Sequence, residues 1–213
     1  MTSNFSGMGT AELALQVNKI AAKKILHLKS PLKVVSCCDN SKKCRKVLAA
    51  STDEKCHVFQ DVMAYIRSSS WRLDRAKSFD SLLKYMEGCK ESTAAWCDKH
   101  HDLCAVSCHG DVDVSGSPCV DWSQAGKRLG LGGPTIRFAV SWGLHHRHSG
   151  TRVVIHENVQ QFDTQVVEQA LGPRYIYHHI AVSTKDIGWG HVCARNRLPE
   201  RETPSAHTHT HPI

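Results

Sequence analysis

Cys119 lies in the run Ser117-Pro118-Cys119-Val120-Asp121-Trp122-Ser123, where a proline fixes the backbone ahead of a thiol and a polar turn follows. Cysteine is a nucleophile only as the thiolate, and partial exposure near cations such as Lys127 and Arg128 favours that form. Glu157, followed by Asn158 and Val159, closes the apolar run Val153-Val154-Ile155. A carboxyl group in that position is either a helix cap or an acid whose burial favours the protonated form. Gly7 and Gly9, in Phe5-Ser6-Gly7-Met8-Gly9-Thr10, stand just ahead of a helical pattern, where glycines let backbone amides approach a cofactor. Asp39 and Asp61 each follow a short β-like run, placed either to bind ribose hydroxyls and an adenine amine or to cap the next helix. Arg195 and Arg197 alternate, so on a strand both face one side and could clamp a phosphate or a carboxylate. Taken singly, each feature has an ordinary structural explanation: a tight turn, a buried thiol, a helix cap, a solvated face.

The elements that would position these groups alternate between strand and helix. Residues 10–28 read as a helix, with Leu13, Val17, Ile20 and Ala21 at helical spacing and Thr10 as its cap. Lys33–Cys38 reads as a strand, 41–50 as a helix, and His57–Phe59 as a strand ending near Asp61. Phe79–Cys89 reads as a helix within a Cys- and His-rich insertion over about 62–111. Val112–Ser115 is a strand that delivers Pro118 and Cys119 at its carboxyl end; Pro134 starts a helix through about Leu144. Thr151–His156 is strand, 163–171 helix and Tyr175–Val182 strand. This alternation predicts an α/β fold with a mostly parallel sheet, whose ligands sit beyond the carboxyl ends of the strands.

The 213 residues suffice for one domain with a real core, and 41% hydrophobic and 22% charged residues are ordinary for a soluble globular chain. A net charge of +7 mildly favours an anionic partner such as nucleic acid. No apolar run is long enough to span a membrane and the N-terminus has no signal-peptide pattern, so no membrane partner is expected. The ten cysteines read as mostly reduced, intracellular thiols.

In their order along the chain, Phe-Ser-Gly-x-Gly-Thr, Asp39, Asp61, Pro118-Cys119, Glu157-Asn158-Val159 and Arg195-x-Arg197, these motifs resemble the DNA (cytosine-5)-methyltransferases, in the manner of divergent eukaryotic, protist-like members. The resemblance covers residues 5 to about 198 and implies a Rossmann-like class I S-adenosylmethionine-dependent methyltransferase fold over 1–198. By that resemblance Phe5, Ser6, Gly7, Gly9, Thr10 and Pro118 would surround S-adenosylmethionine, with Asp39 on its ribose and Asp61 on its adenine. Cys119 would be the nucleophile, Glu157 would contact the cytosine ring nitrogen and amine, Asn158 would hold the loop, and Arg195 and Arg197 would position the loop and the base. DNA is the implied partner, with RNA an alternative because a related family member methylates tRNA. The nucleus is the implied location. A non-catalytic remnant that binds nucleic acid or protein is the rival reading.

The chain departs from the family pattern where Val120 replaces a glutamine after Pro-Cys and Cys193 replaces one before the arginines. The first strand is nearly absent: only Met1–Asn4 precede the glycine loop, and they are too polar for the apolar, buried strand expected there. The family's target-recognition region, last strand and final helix have no counterpart after Arg197, so the catalytic domain is expected to be incomplete. Residues 199–213, with alternating His and Thr, read as a disordered tail. Within the insertion, Cys97, His100 or His101, Cys104 and Cys108 have the chemistry of a structural zinc site. Their tight spacing matches no standard finger, so they read as chance clustering and no metal is assigned.

Overall fold

The computed structural model describes residues 1–25, 27, 33–106 and 110–182. Arg195, Arg197, Cys193, Cys108 and the 199–213 tail, all singled out above, lie outside the described residues. A compact unit spans Met1–Tyr177.

The chain runs β1 (Thr2–Asn4), α1 (Thr10–Ile25), β2 (Ser36–Cys38), α2 (Lys42–Ser51) and β3 (His57–Phe59). A 3-10 turn at Val62–Tyr65 leads to α3 (Ser70–Leu73), α4 (Phe79–Glu87) and the strands β4 (Ala94–Cys97) and β5 (Asp102–Ala105). Then come β6 (Val112–Ser115), α5 (Ile136–Ser149), β7 (Val153–His156) and α6 (Gln165–Leu171). The seven strands form one sheet in the order β5-β4-β3-β2-β1-β6-β7. From β3 to β7 every pairing is parallel, whereas β4 and β5 join antiparallel at the β3 edge. The parallel strands follow the 3-2-1-4-5 order of an open doubly wound sheet.

Side-chain alternation sorts the helices onto two faces. Cys37 and Val58 point to one face and pack with Leu48 of α2. Cys38 and Phe59 point to the other, where Phe138 of α5 meets them. On that second face α4, α5 and α6 build the largest core cluster, with Phe79, Met86, Val140, Trp142 and Val166 buried. Gly143 lets α6 come close: a Cβ there would lie 2.6 Å from the Ala170 Cβ.

Met1–Asn4 are expected to leave the first strand nearly absent and unburied, but Thr2–Asn4 form a buried polar strand at the centre of the sheet. Thr2, Ser3 and Asn4 are each under 5% exposed, and the fully buried carboxylate of Asp113 on β6 accounts for them. It accepts hydrogen bonds from Thr2 Oγ1 (2.7 Å), Asn4 Nδ2 (2.9 Å), Ser115 Oγ (2.5 Å) and Trp142 Nε1 (3.0 Å), with His146 Nε2 at 3.3 Å. Asn4 Oδ1 accepts from the Tyr65 hydroxyl at 2.8 Å. Burial pushes the Asp113 carboxyl up, but the adjacent His146 ring and these hydrogen bonds outweigh it and hold the group below its ordinary 3.8. Five partners converge on one carboxylate, so polar residues can occupy a central strand without unpaired buried groups.

Other expectations are corrected. The predicted apolar stripe of α1 faces outward, with Leu13, Val17 and Ile20 exposed; the helix instead buries Glu12 and half-buries Leu15 and Lys19, a neighbouring stripe of the same period. Tyr175–Val182 contains no strand. There the Tyr175 hydroxyl donates to the carbonyls of His146 and Thr151, and the Tyr177 hydroxyl to those of Glu168 and Gly172, so aromatic anchors replace sheet pairing. α5 continues five residues past Leu144, to the left-handed cap at Gly150.

Candidate functional site

In a doubly wound sheet the binding crevice opens beyond the carboxyl ends of the strands, where neighbouring connections leave in opposite directions. Here that point lies between β1, whose chain proceeds toward β2, and β6, whose chain proceeds toward β7. The Phe5–Thr10 loop leaves β1 and the Gly116–Cys119 loop leaves β6. Asp39 follows β2, Asp61 follows β3, and Glu157 and Asn158 follow β7. All the site residues expected within the described chain therefore gather at one end of the sheet.

The loop after β1 is tightly wound. Phe5, Gly7 and Gly9 have φ of 55°, 55° and 87°, a region that glycine adopts without cost and a bulky residue does not. A Cβ on Gly7 would meet nothing within 4 Å, so its surface is open. Gly9 is packed, with a Cβ there 3.3 Å from Leu48 Cδ2. Ser6 bonds back to Ser3, its hydroxyl donating to the Ser3 carbonyl. Thr10 starts α1 and is exposed.

Both acids accept backbone amides locally, but only Asp61 is a helix cap. Asp39 accepts from the Gly7 amide at 2.8 Å through Oδ2 and from the Ser41 amide at 2.8 Å through Oδ1, joining the β1 loop to the start of α2. Asp61 caps the following 3-10 turn, accepting from the Met63 amide at 2.9 Å.

Cys119 is half-buried in a folded turn, its carbonyl accepting from the amides of Trp122 (2.9 Å) and Ser123 (2.8 Å). Gly126 makes that turn possible, because a Cβ there would sit 1.8 Å from the Val120 carbonyl oxygen. Farther along, the buried Asp121 carboxylate accepts from the Thr135 amide (2.9 Å) and hydroxyl (2.5 Å), and Gly133 leaves it room. The loop from Cys119 to α5 is thus pinned at both ends, with the Trp122 ring tilted against that of Phe162 at 5.1 Å between ring centres.

β7 is tied to this loop directly. Asn158 Nδ2 donates to the Ser117 carbonyl (3.1 Å) and to Ser117 Oγ (3.0 Å), while its Oδ1 accepts from the Val159 amide. His156 Nε2 lies 2.9 Å from the same Ser117 hydroxyl. Burial lowers the His156 pKa to about 4, with Asp113 opposing weakly, so the ring is neutral near pH 7. The Glu157 amide donates to the Ser115 carbonyl at 2.8 Å, and its carboxylate leans over Gly116, where a Cβ would lie 3.0 Å from Oε2. Glu157 itself is exposed, contrary to the expected burial of an acid.

Chemically, a thiol and a carboxylate stand on loops that leave adjacent strands, at the same end of the sheet as an open glycine turn. Residues missed by sequence reasoning are Ser117 and His156, which connect the thiol loop to the carboxylate strand. Ser117 opens the Pro-Cys run but carries no role in that motif, His156 belongs to no motif, and the hint is their place beside Pro118 and Glu157. Far from this end, at the sheet edge, His57, Cys97, His100 and Cys104 converge.

No protein-family model, curated protein or solved structure matches this chain.

Proposed function

We propose that this chain transfers a methyl group from S-adenosylmethionine to carbon 5 of cytosine in DNA, through a covalent bond between Cys119 and the base. The observation that carries the reading is the coupling of β6 to β7: Asn158 grips Ser117 and the Glu157 carboxylate lies over Gly116, three positions before Cys119. That coupling gives a nucleophile and an acid one shared rigid base, as covalent catalysis requires.

In this reading the open Gly7 turn, Asp39 and Asp61 hold S-adenosylmethionine, which supplies an electrophilic methyl group. Their fit rests on the uncovered Gly7 surface at the strand switch point. The Cys119 thiolate adds to carbon 6 of cytosine, and the electron pair of the carbon 5–carbon 6 double bond is pushed toward carbon 5. Glu157 binds ring nitrogen 3 and the exocyclic amine, stabilising the charge that develops there. With carbon 5 methylated and the thioether S-adenosylhomocysteine as the leaving product, a base removes the carbon 5 proton, that electron pair re-forms the carbon 5–carbon 6 double bond, the carbon 6–sulfur bond breaks, and the thiolate is restored. The target base must leave the duplex to reach Cys119, and the chain's net positive charge of +7 supports contact with the phosphate backbone. Such a substrate places the protein in the nucleus.

No helix among the described residues is long and apolar enough to cross a membrane. The test is incubation of the protein with DNA and S-adenosylmethionine labelled in its methyl group. Label in 5-methylcytosine, absent with Cys119→Ser, supports the reading. Label confined to another base or another atom, or equal label with Cys119→Ser, contradicts it.

A further inference from the structure

The Cys- and His-rich segment that reads as chance clustering in the sequence is gathered in space, and it recruits a histidine the segment does not contain. Cys97 ends β4, His100 lies in the β4–β5 turn, Cys104 lies on β5, and His57 opens β3 some 40 residues earlier (97 − 57). One donor atom from each lies within 4.8 Å of the others. The site is at the amino end of β3, remote from the carboxyl-end loops that carry Cys119 and Glu157.

The finer geometry is that of a ligand set. His100 Nδ1 lies 3.5 Å from Cys97 Sγ and 3.3 Å from Cys104 Sγ. A tetrahedral zinc with bonds of about 2.3 Å to sulfur and about 2.0 Å to nitrogen separates the two donors by about 3.5 Å. The other ring nitrogen, His100 Nε2, is 2.8 Å from the Glu54 carbonyl oxygen. A carbonyl can only accept, so Nε2 carries the hydrogen and the neutral ring presents the Nδ1 lone pair to the two sulfurs. This is the outer hydrogen bond by which ligating histidines are oriented. Cys97 Sγ accepts from the Val58 amide at 3.3 Å, which orients the sulfur toward the other three side chains. His57 Nδ1 is buried with no hydrogen-bond partner among the described residues, and its ring meets that of His100 edge-on at 4.9 Å.

We infer that His57, Cys97, His100 and Cys104 bind one zinc ion. Two thiolates and two neutral imidazoles balance the dication and close its coordination, the pattern of a structural and not a catalytic site. The fold has a use for it. β4 meets β3 through a single residue pair, Phe59 with Cys97, and β5 buries none of its four residues. A hairpin with so little core is marginal by itself. A metal joining β3, β4, the turn and β5 would fix that edge, assisted by Lys99 Nζ, which donates to the carbonyls of Ala49 and Thr52 at the end of α2.

The test uses the full chain, purified under reducing conditions and loaded with zinc or cobalt. One zinc per chain is expected, together with the intense visible bands of tetrahedral cobalt and a thiolate-to-cobalt charge-transfer band. The histidines of the tail can add metal but not that charge-transfer band. Cys104→Ser should weaken zinc binding at least tenfold and diminish the charge-transfer band, whereas Cys108→Ser should leave both unchanged. Cys97 and Cys104 should resist alkylation in the zinc-loaded protein and react after chelation, a readout that requires no variant to fold. Reduced protein that takes up no cobalt with thiolate character, alkylation indifferent to chelator, a Cys97–Cys104 disulfide in place of metal, or undiminished affinity in Cys104→Ser would each overturn the assignment.

Discussion

At the scale of single residues, the site depends on contacts that motif reading does not reveal. The resemblance implies that Asn158 holds the loop, and the structure gives it two hydrogen bonds to Ser117 that no sequence pattern announces. Asn158→Ala removes both. Each such bond contributes about 1 kcal/mol net, so the melting temperature should fall by only a few degrees. Methyl transfer should fall more steeply, by about tenfold or more, because a small displacement of the nucleophile is costly; calorimetry beside an initial-rate assay checks the split. Gly116→Ala probes the carboxylate in the same way. Its Cβ would stand 3.0 Å from Glu157 Oε2 and push an exposed side chain aside. Activity should drop while thermal stability stays within about 0.5 kcal/mol, the usual range for surface changes. Asp39 and Asp61 show why acids are ambiguous in a sequence: a carboxylate that could bind a ribose can equally hold backbone amides, and here Asp39 joins the β1 loop to Ser41 while Asp61 caps a turn.

At the scale of elements, β7 couples the site to pH. The folded state holds His156 neutral down to about pH 4, whereas the unfolded chain protonates it near 6.5. A depressed pKa means the unfolded state binds more protons between those values. Stability contributed by His156 is therefore complete above about pH 6.5 and is lost as pH falls toward 4. Asp113, held below 3.8, adds a further loss at lower pH. Urea unfolding between pH 7 and 4 should show this decline, and His156→Gln should flatten it while leaving the acid limb below about pH 4. The Cys119 turn is equally specific: Gly126→Ala sets a Cβ against the Val120 carbonyl oxygen, so the turn must open and activity should be lost. Most strands and helices were legible because their periodicity is local. The hairpin of β4 and β5 was not, because its strands are half-exposed and interrupted by Cys, His and charge.

At the scale of the whole molecule, the mostly parallel α/β sheet was readable from the alternation of elements, but its strand order and the polar character of its central strand were not. Thr2 and Asn4 are acceptable there only because Asp113, 111 and 109 residues away, meets them. Long-range polar pairing leaves no periodic signal. The same remoteness makes Asp113 a keystone: Asp113→Asn replaces an acceptor shared by five groups with one that must also donate, and should cost about 3 kcal/mol, measurable as a shifted urea midpoint. The uncovered Val153 and Ile155 on β7 and the outward stripe of α1 were likewise illegible, since spacing gives a helix or strand its apolar face without saying what that face meets. The central claim, a covalent bond from Cys119 to a cytosine, is tested most directly with duplex DNA carrying 5-fluorocytosine in the presence of S-adenosylmethionine, because fluorine at carbon 5 cannot leave as a proton. A complex that survives denaturing electrophoresis, with the nucleotide mapped to Cys119 by mass spectrometry and lost in Cys119→Ser, is the expected result; full-length protein that binds the DNA yet forms no such complex, or forms it through another residue, contradicts the mechanism.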